Sequence, residues 1–259
     1  MTIEYDGSEF CGFQWQPVDR TVAGVLEKAL SEVFDEPVKV TAAGRTDSGV
    51  HASGQVVSLA TAAAFPFDRL PLALNGVLPA DCSVREAAVV KAGFSARFSA
   101  SQRTYIYAVA SRPQRDALTA RYAWHVPQPL ELNSMRAAAA QVVGEHDFQS
   151  FCSIVPVGPS NEVLPTVRSI YRFTIEPRGE FLRLEISASG FLYRMARSLV
   201  GTLVDVGRGR CSGDLAGVLA AADRSAASPT IAPPHGLYLA GVRYDDGYDS
   251  FAEPPILRP

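Results

Sequence analysis

Residues 38–60 read VKVTAAGRTDSGVHASGQVVSLA. Two apolar, β-branched runs, Val38–Ala43 and Gln55–Ala60, enclose a polar loop that holds Gly44 and Gly49. Such runs bounded by glycine predict two strands with a loop between them. Before them, Val22, Val25, Leu26, Ala29, Leu30, Val33 and Phe34 recur at the spacing of one helix face, with Thr21 placed to cap it. Thr2–Tyr5 is a short strand candidate. After the loop, Phe67–Leu74 predicts a short helix that carries Pro71 and stops at Asn75-Gly76 and Pro79, and Val84–Val90 predicts a strand. The order β-α-β-β-α-β is the ferredoxin-like split unit.

The second half repeats that order with longer spacers. Arg103–Ala110 and Tyr122–Val126 read as strands, and Met135–Val143 as a helix capped by Asn133 or Ser134 with Gly144 past its end. Val167–Glu176 and Phe181–Ser187 read as a hairpin across Pro177-Arg178-Gly179, with Leu182, Leu184 and Ile186 inward and Arg183 and Glu185 outward. Leu192–Val206 and Asp214–Ala222 predict helices, and Leu237–Tyr244 a last strand. Ser225–His235 is a loop by composition. The expected fold class is α+β: two halves, residues 1–96 and 97–259, sharing one large, mainly antiparallel sheet with helices on one side and a cleft at the seam.

With 47% apolar and 20% charged residues among 259, the chain has the balance of a folded domain rather than a disordered or collagenous one. No apolar run is long enough for a membrane helix. The opening MTIEYDGSEF places acids where a signal peptide needs bases, so a cytoplasmic location is expected. Cys11, Cys82, Cys152 and Cys211 are scattered, without the pairing that zinc sites or disulfide frameworks use. A net charge of −3 does not advertise a polyanion binder. The arginines, however, cluster: Arg97, Arg103, Arg112, Arg115 and Arg121 surround one acid, Asp116, and Arg194, Arg197, Arg208 and Arg210 surround Asp205. A local cationic cleft can steer RNA on an acidic protein.

Three segments could carry chemistry. In Gly44-Arg45-Thr46-Asp47-Ser48-Gly49-Val50-His51-Ala52, Arg45 and Asp47 point the same way if the segment is extended. An aspartate ionised at neutral pH suits a nucleophile or base and is a poor general acid. Phe94–Ala100 runs into Arg103 and Tyr105, interleaving arginine with aromatics as single-stranded RNA binders do. Gly190–Arg197 puts Arg194 and Arg197 on one polar stripe. Dinucleotide, P-loop and serine-hydrolase motifs are missing from the sequence.

Together these segments resemble the tRNA pseudouridine synthase A family. Tyr5-Asp6-Gly7-Ser8-Glu9-Phe10 with Gly12 is similar to its opening motif, and Gly44–Ala52 to its G-R-T-D-x-G-V-H-[AG] element. Asn75 with Leu78-Pro79, Phe94–Ala100, Gly144–Phe148 with Phe151, Gly190–Gly201 and Gly236–Leu239 follow in order. One departure is Gly12-Phe13-Gln14, followed by Trp15, where the family commonly has Gly-Trp-Gln. The resemblance implies a pseudouridine synthase fold and isomerisation of uridine to pseudouridine at positions 38 to 40 of the tRNA anticodon arm. It implies a homodimer without metal or other cofactor. It also implies that Asp47 is the nucleophile, that Tyr105 stacks on the flipped base, and that Arg197 pairs with Asp47. Arg45, His51, Arg97, Arg103 and Arg194 are the further RNA-contact candidates. Two other readings compete: an RNA-binding module without chemistry, and a glycoside hydrolase drawing its second carboxylate from Asp6 or Asp147.

Overall fold

The computed structural model describes residues 1–154, 157 and 164–258. In chain order it runs β1 (Thr2–Tyr5), α1 (Val22–Phe34), β2 (Thr41–Ala42), β3 (His51–Ser58), α2 (Leu70–Val77), β4 (Cys82–Glu86), β5 (Ala100–Ser111), β6 (Trp124–Val126), α3 (Leu132–Ala140), β7 (Gly144–Asp147), β8 (Val167–Arg178), β9 (Phe181–Ala188), α4 (Met195–Gly207), α5 (Leu215–Ala221), β10 (Leu237–Tyr244) and β11 (Ser250–Phe251). The strands are mainly antiparallel and the class is α+β, as expected. Two compact units form, residues 1–103 with 238–255, and 104–237 with 256–259. The sequence division at 96/97 therefore differs from the spatial one: residues 238–255 return to the first unit, where Tyr238 and Leu239 pair in parallel with His51 and Ala52.

In the first unit, β1 lies between β3 and β4, antiparallel to both. Thr21 caps α1, its hydroxyl accepting the Gly24 N–H, and Leu26 and Leu30 are fully buried. The expected strand at 38–43 shrinks to Thr41–Ala42 because side chains of α1 take its backbone donors: Ser31 accepts from Val38 N and Glu27 from Val40 N. Pro71 falls in the first turn of α2, where a missing N–H costs nothing. Asn75 does not stop that helix; its amide exchanges two hydrogen bonds with the Val84 backbone.

In the second unit, β8 pairs antiparallel with both β7 and β9. Arg183 and Glu185, expected outside, are 5% and 8% exposed and form a buried ion pair. Burial of both faces of β9 breaks the alternation rule, which assumes one wet face. α4 is almost wholly buried, and Leu199, Val200, Leu203 and Val204 are fully so. The 225–235 loop is tied to this helix. Ser228 donates to Asp205 at 2.6 Å, and a Cβ on Gly201 would lie 2.1 Å from the Thr230 carbonyl oxygen.

Candidate active site

Residues 45–47 lie in neither helix nor strand, and the loop turns at Ser48-Gly49. Val50 N donates to Asp47 O at 3.1 Å, and Gly49 takes the positive φ of 76° that the third position of such a turn needs. The residues alternating with Arg45 and Asp47 are pinned inward. Gln55, fully buried, donates to Gly44 O at 2.7 Å and accepts from Gly44 N. The Tyr5 hydroxyl meets Thr46 Oγ1 at 2.8 Å. With positions 44 and 46 held, Arg45 is exposed and Asp47 half-buried.

The opening motif is the other half of this cradle. Phe13 N donates to Thr46 O, Gly49 N to Phe10 O, and Ser48 Oγ to Phe10 O. A side chain at Gly12 would lie 2.8 Å from Thr46 O, and one at Gly7 would collide with Val50. The resemblance in Tyr5–Gly12 thus has a physical content that spacing alone did not disclose: these residues shape the backbone that presents Asp47.

His51 and Arg103, expected to touch RNA, are instead placed in the frame. His51 is 2% exposed, accepts the Gly7 N–H at Nδ1 and stacks on Tyr238 with ring centres 4.8 Å apart. Arg103 donates to the carbonyls of Ala43, Ala100 and Arg97. Asp6 accepts from Ser8 N, and Asp147 in the second unit accepts from Gln149 N and Thr166 Oγ1, so both carboxylates cap local turns.

In the second unit, Tyr105 lies on β5, 8% exposed, with its ring edge-on to Phe191 at 4.9 Å. Phe191 lies in the Gly190–Arg197 segment, and an aromatic before a helix carries no signal in the sequence of what it faces. Arg197, in the first turn of α4, donates from Nε to Ala232 O at 2.8 Å, and Ala232 N returns a bond to Arg197 O. Arg194 adopts a left-handed φ of 60° just before the helix, its guanidinium 4.9 Å from the Tyr193 ring centre and its buried Nε without a hydrogen-bond partner. Arg208 and Arg210 pair with Asp205, and Arg112 with Asp116 and Glu180, so much of the arginine clustering is neutralised locally.

A family model described as tRNA pseudouridine synthase matches residues 1–99 and 138–245. The chain belongs to the tRNA pseudouridine synthase family. It is similar to tRNA pseudouridine synthase A of Halalkalibacterium halodurans, 45% identical over 239 residues that cover 92% of this chain and 89% of the relative. The Bacillus subtilis protein of that name is 44% identical over 248 residues, covering 95% and 98%. That of Caldicellulosiruptor bescii is 40% identical over 245 residues, covering 94% and 98%. As a pseudouridine synthase the chain is an isomerase. Among the described residues of this synthase no three His, Cys, Asp or Glu side chains converge as metal ligands.

Burial in the synthase pushes the Tyr5 and Tyr244 hydroxyls above the ordinary phenol range. Unfolded tyrosines lose their protons from about pH 10. Above that pH the unfolded chain binds fewer protons than the folded one, so stability falls as pH rises. Each buried ring contributes up to about 1.4 kcal/mol per pH unit to that fall. The contribution of the two rings should be intact below pH 10 and lost steeply above it, on top of that of the Cys82 thiol, which burial pushes up to about 12 and whose share fades from about pH 9. Urea melts at pH 9 and pH 11 measure the difference, and Tyr5→Phe with Tyr244→Phe should flatten it.

Proposed function

We propose that this synthase converts uridine to pseudouridine at positions 38 to 40 of the tRNA anticodon arm, with Asp47 as nucleophile. The observation that supports this most is the cradle around Asp47 in a member of this family: positions 44 and 46 are clamped by buried Gln55 and Tyr5, leaving one half-buried carboxylate presented from a rigid turn. In the proposed reaction the target nucleotide leaves its stack at a cost of a few kcal/mol. Tyr105 recovers part of this by stacking on the base, a contact worth about 1–3 kcal/mol. Asp47 handles the charge that develops as the N1–C1′ bond breaks, by attack on the sugar or base or by taking a sugar proton. The uracil turns over, C5 bonds to C1′, the C5 proton departs and N1 gains one, so nothing is consumed. Arg197 partners the carboxylate, while Arg45, Arg97 and Arg194 meet the RNA, and His51 and Arg103 support the loop. The active species is a homodimer in the cytoplasm, with the tRNA lying across both copies.

The direct test is release of tritium from tRNA labelled at uridine C5. The enzyme should release label from a tRNA with uridine at 38–40 and none from the same tRNA with cytidine there. Release from both would place the target elsewhere.

A further inference from the structure

We infer that Arg97 and Phe98 form a stacking platform for a nucleotide flanking the target, a second RNA-binding site apart from the residues assigned to the flipped base. The inference rests on the RNA substrate proposed above. Phe98 is 80% exposed, so its ring does little packing within the fold. The Arg97 guanidinium lies over its ring, 5.1 Å from the centre. Among the described residues Arg97 enters no ion pair, so its charge is not spent within the fold.

The turn that carries the pair is rigid. Ser95 N donates to Ser99 Oγ at 3.0 Å, Ser99 N to Ser95 O at 2.9 Å and Phe98 N to Ser95 Oγ at 3.3 Å. Ala96 is fully buried, donating to Ser58 Oγ and accepting from the Tyr244 hydroxyl. With Ala96 anchored in the core and the carbonyl of Arg97 held by Arg103, the side chains of Arg97 and Phe98 are both exposed. A platform ordered before binding loses little entropy on binding.

Arg103 also gives the platform its address. The guanidinium that holds Arg97 O holds Ala43 O as well, and Ala43 directly precedes Gly44. Four residues of chain reach at most about 14 Å. The platform is therefore tied to the root of the Asp47 loop, within the reach of a strand that has one nucleotide at Asp47. An arginine beside an exposed ring suits a phosphate and a base together. One turn is far smaller than the roughly 800 Å² per partner that a stable protein interface buries.

The full-length protein and unmodified tRNA test this by filter binding and steady-state kinetics. Phe98→Ala should weaken tRNA binding about five- to a hundredfold, with the loss in KM rather than kcat, and Phe98→Trp should restore it. Arg97→Gln should lower the slope of log Kd against log salt by about one. Wild-type affinity in Phe98→Ala would overturn the platform. So would a loss that tracks a change of mass in light scattering, which would assign Phe98 to a contact between proteins. Filter binding needs no turnover, so a chain that binds tRNA through Phe98 but releases no tritium would sink the isomerase reading alone.

Discussion

Asp47→Asn should reduce tritium release by about 10⁴-fold or more, the scale on which removal of a nucleophile is felt, while tRNA affinity stays close to that of the wild type. The amide is nearly the same size as the carboxylate, and the backbone of the loop is held by bonds that the substitution does not touch. Val50 N reaches the Asp47 carbonyl, not its side chain, and Thr46 and Gly44 are clamped by Tyr5 and Gln55. The variant should therefore fold, which a urea melt checks. What changes is charge: an amide can neither attack a sugar carbon nor take its proton. Single-turnover release at saturating tRNA is the measurement. Retained turnover would remove Asp47 from the reaction, and lost binding with intact folding would make it an RNA anchor instead.

The loop that carries Asp47 was readable because its signals are local. Glycines at 44 and 49 punctuate two strand-like runs, and the face of α1 is written in its spacing. Other features depend on partners far along the chain. β7 carries no strand signal of its own, because four residues with one glycine have no period; it becomes a strand only when β8 supplies hydrogen bonds twenty or more residues later. Asn133 and Ser134 looked like caps yet lie inside α3, which begins at Leu132. Arg183 and Glu185 follow the pattern of a wet face, but each neutralises the other and both are buried. Arg103 stands in an aromatic-rich run that reads as RNA-binding; of the three carbonyls that hold its guanidinium, those of Ala100 and Arg97 are close in sequence, and only that of Ala43 lies far back in the chain. Polar side chains that bond to distant backbone are where pattern reading runs out, since charge predicts exposure only when no partner is folded against it.

Gly7→Ala should be the most damaging small substitution outside the loop itself. A Cβ there would sit 2.1 Å from the Val50 carbonyl oxygen and 2.5 Å from its carbon, both backbone atoms. Overpacking a fitted site costs roughly 1–3 kcal/mol, and a clash of backbone with backbone, which no rotamer change relieves, belongs at the upper end. Strand β1 is paired on both sides, so the yielding partner is the turn that runs from Asp47 to Val50. Gly7 N also donates to His51 Nδ1, so the same movement strains the start of β3. A reacting group displaced by about 1 Å loses on the order of 10²-fold in rate. The expected variant is folded at low temperature, about 3 kcal/mol less stable, and about a hundredfold slower in kcat. Gly76→Ala is the matched control: a Cβ there meets nothing within 4 Å, and its place in α2 favours alanine by roughly 0.5–1 kcal/mol. Urea melts and single-turnover rates on the two proteins separate a general intolerance of alanine from a local one. A Gly7→Ala enzyme with wild-type kcat would uncouple the opening motif from the presentation of Asp47.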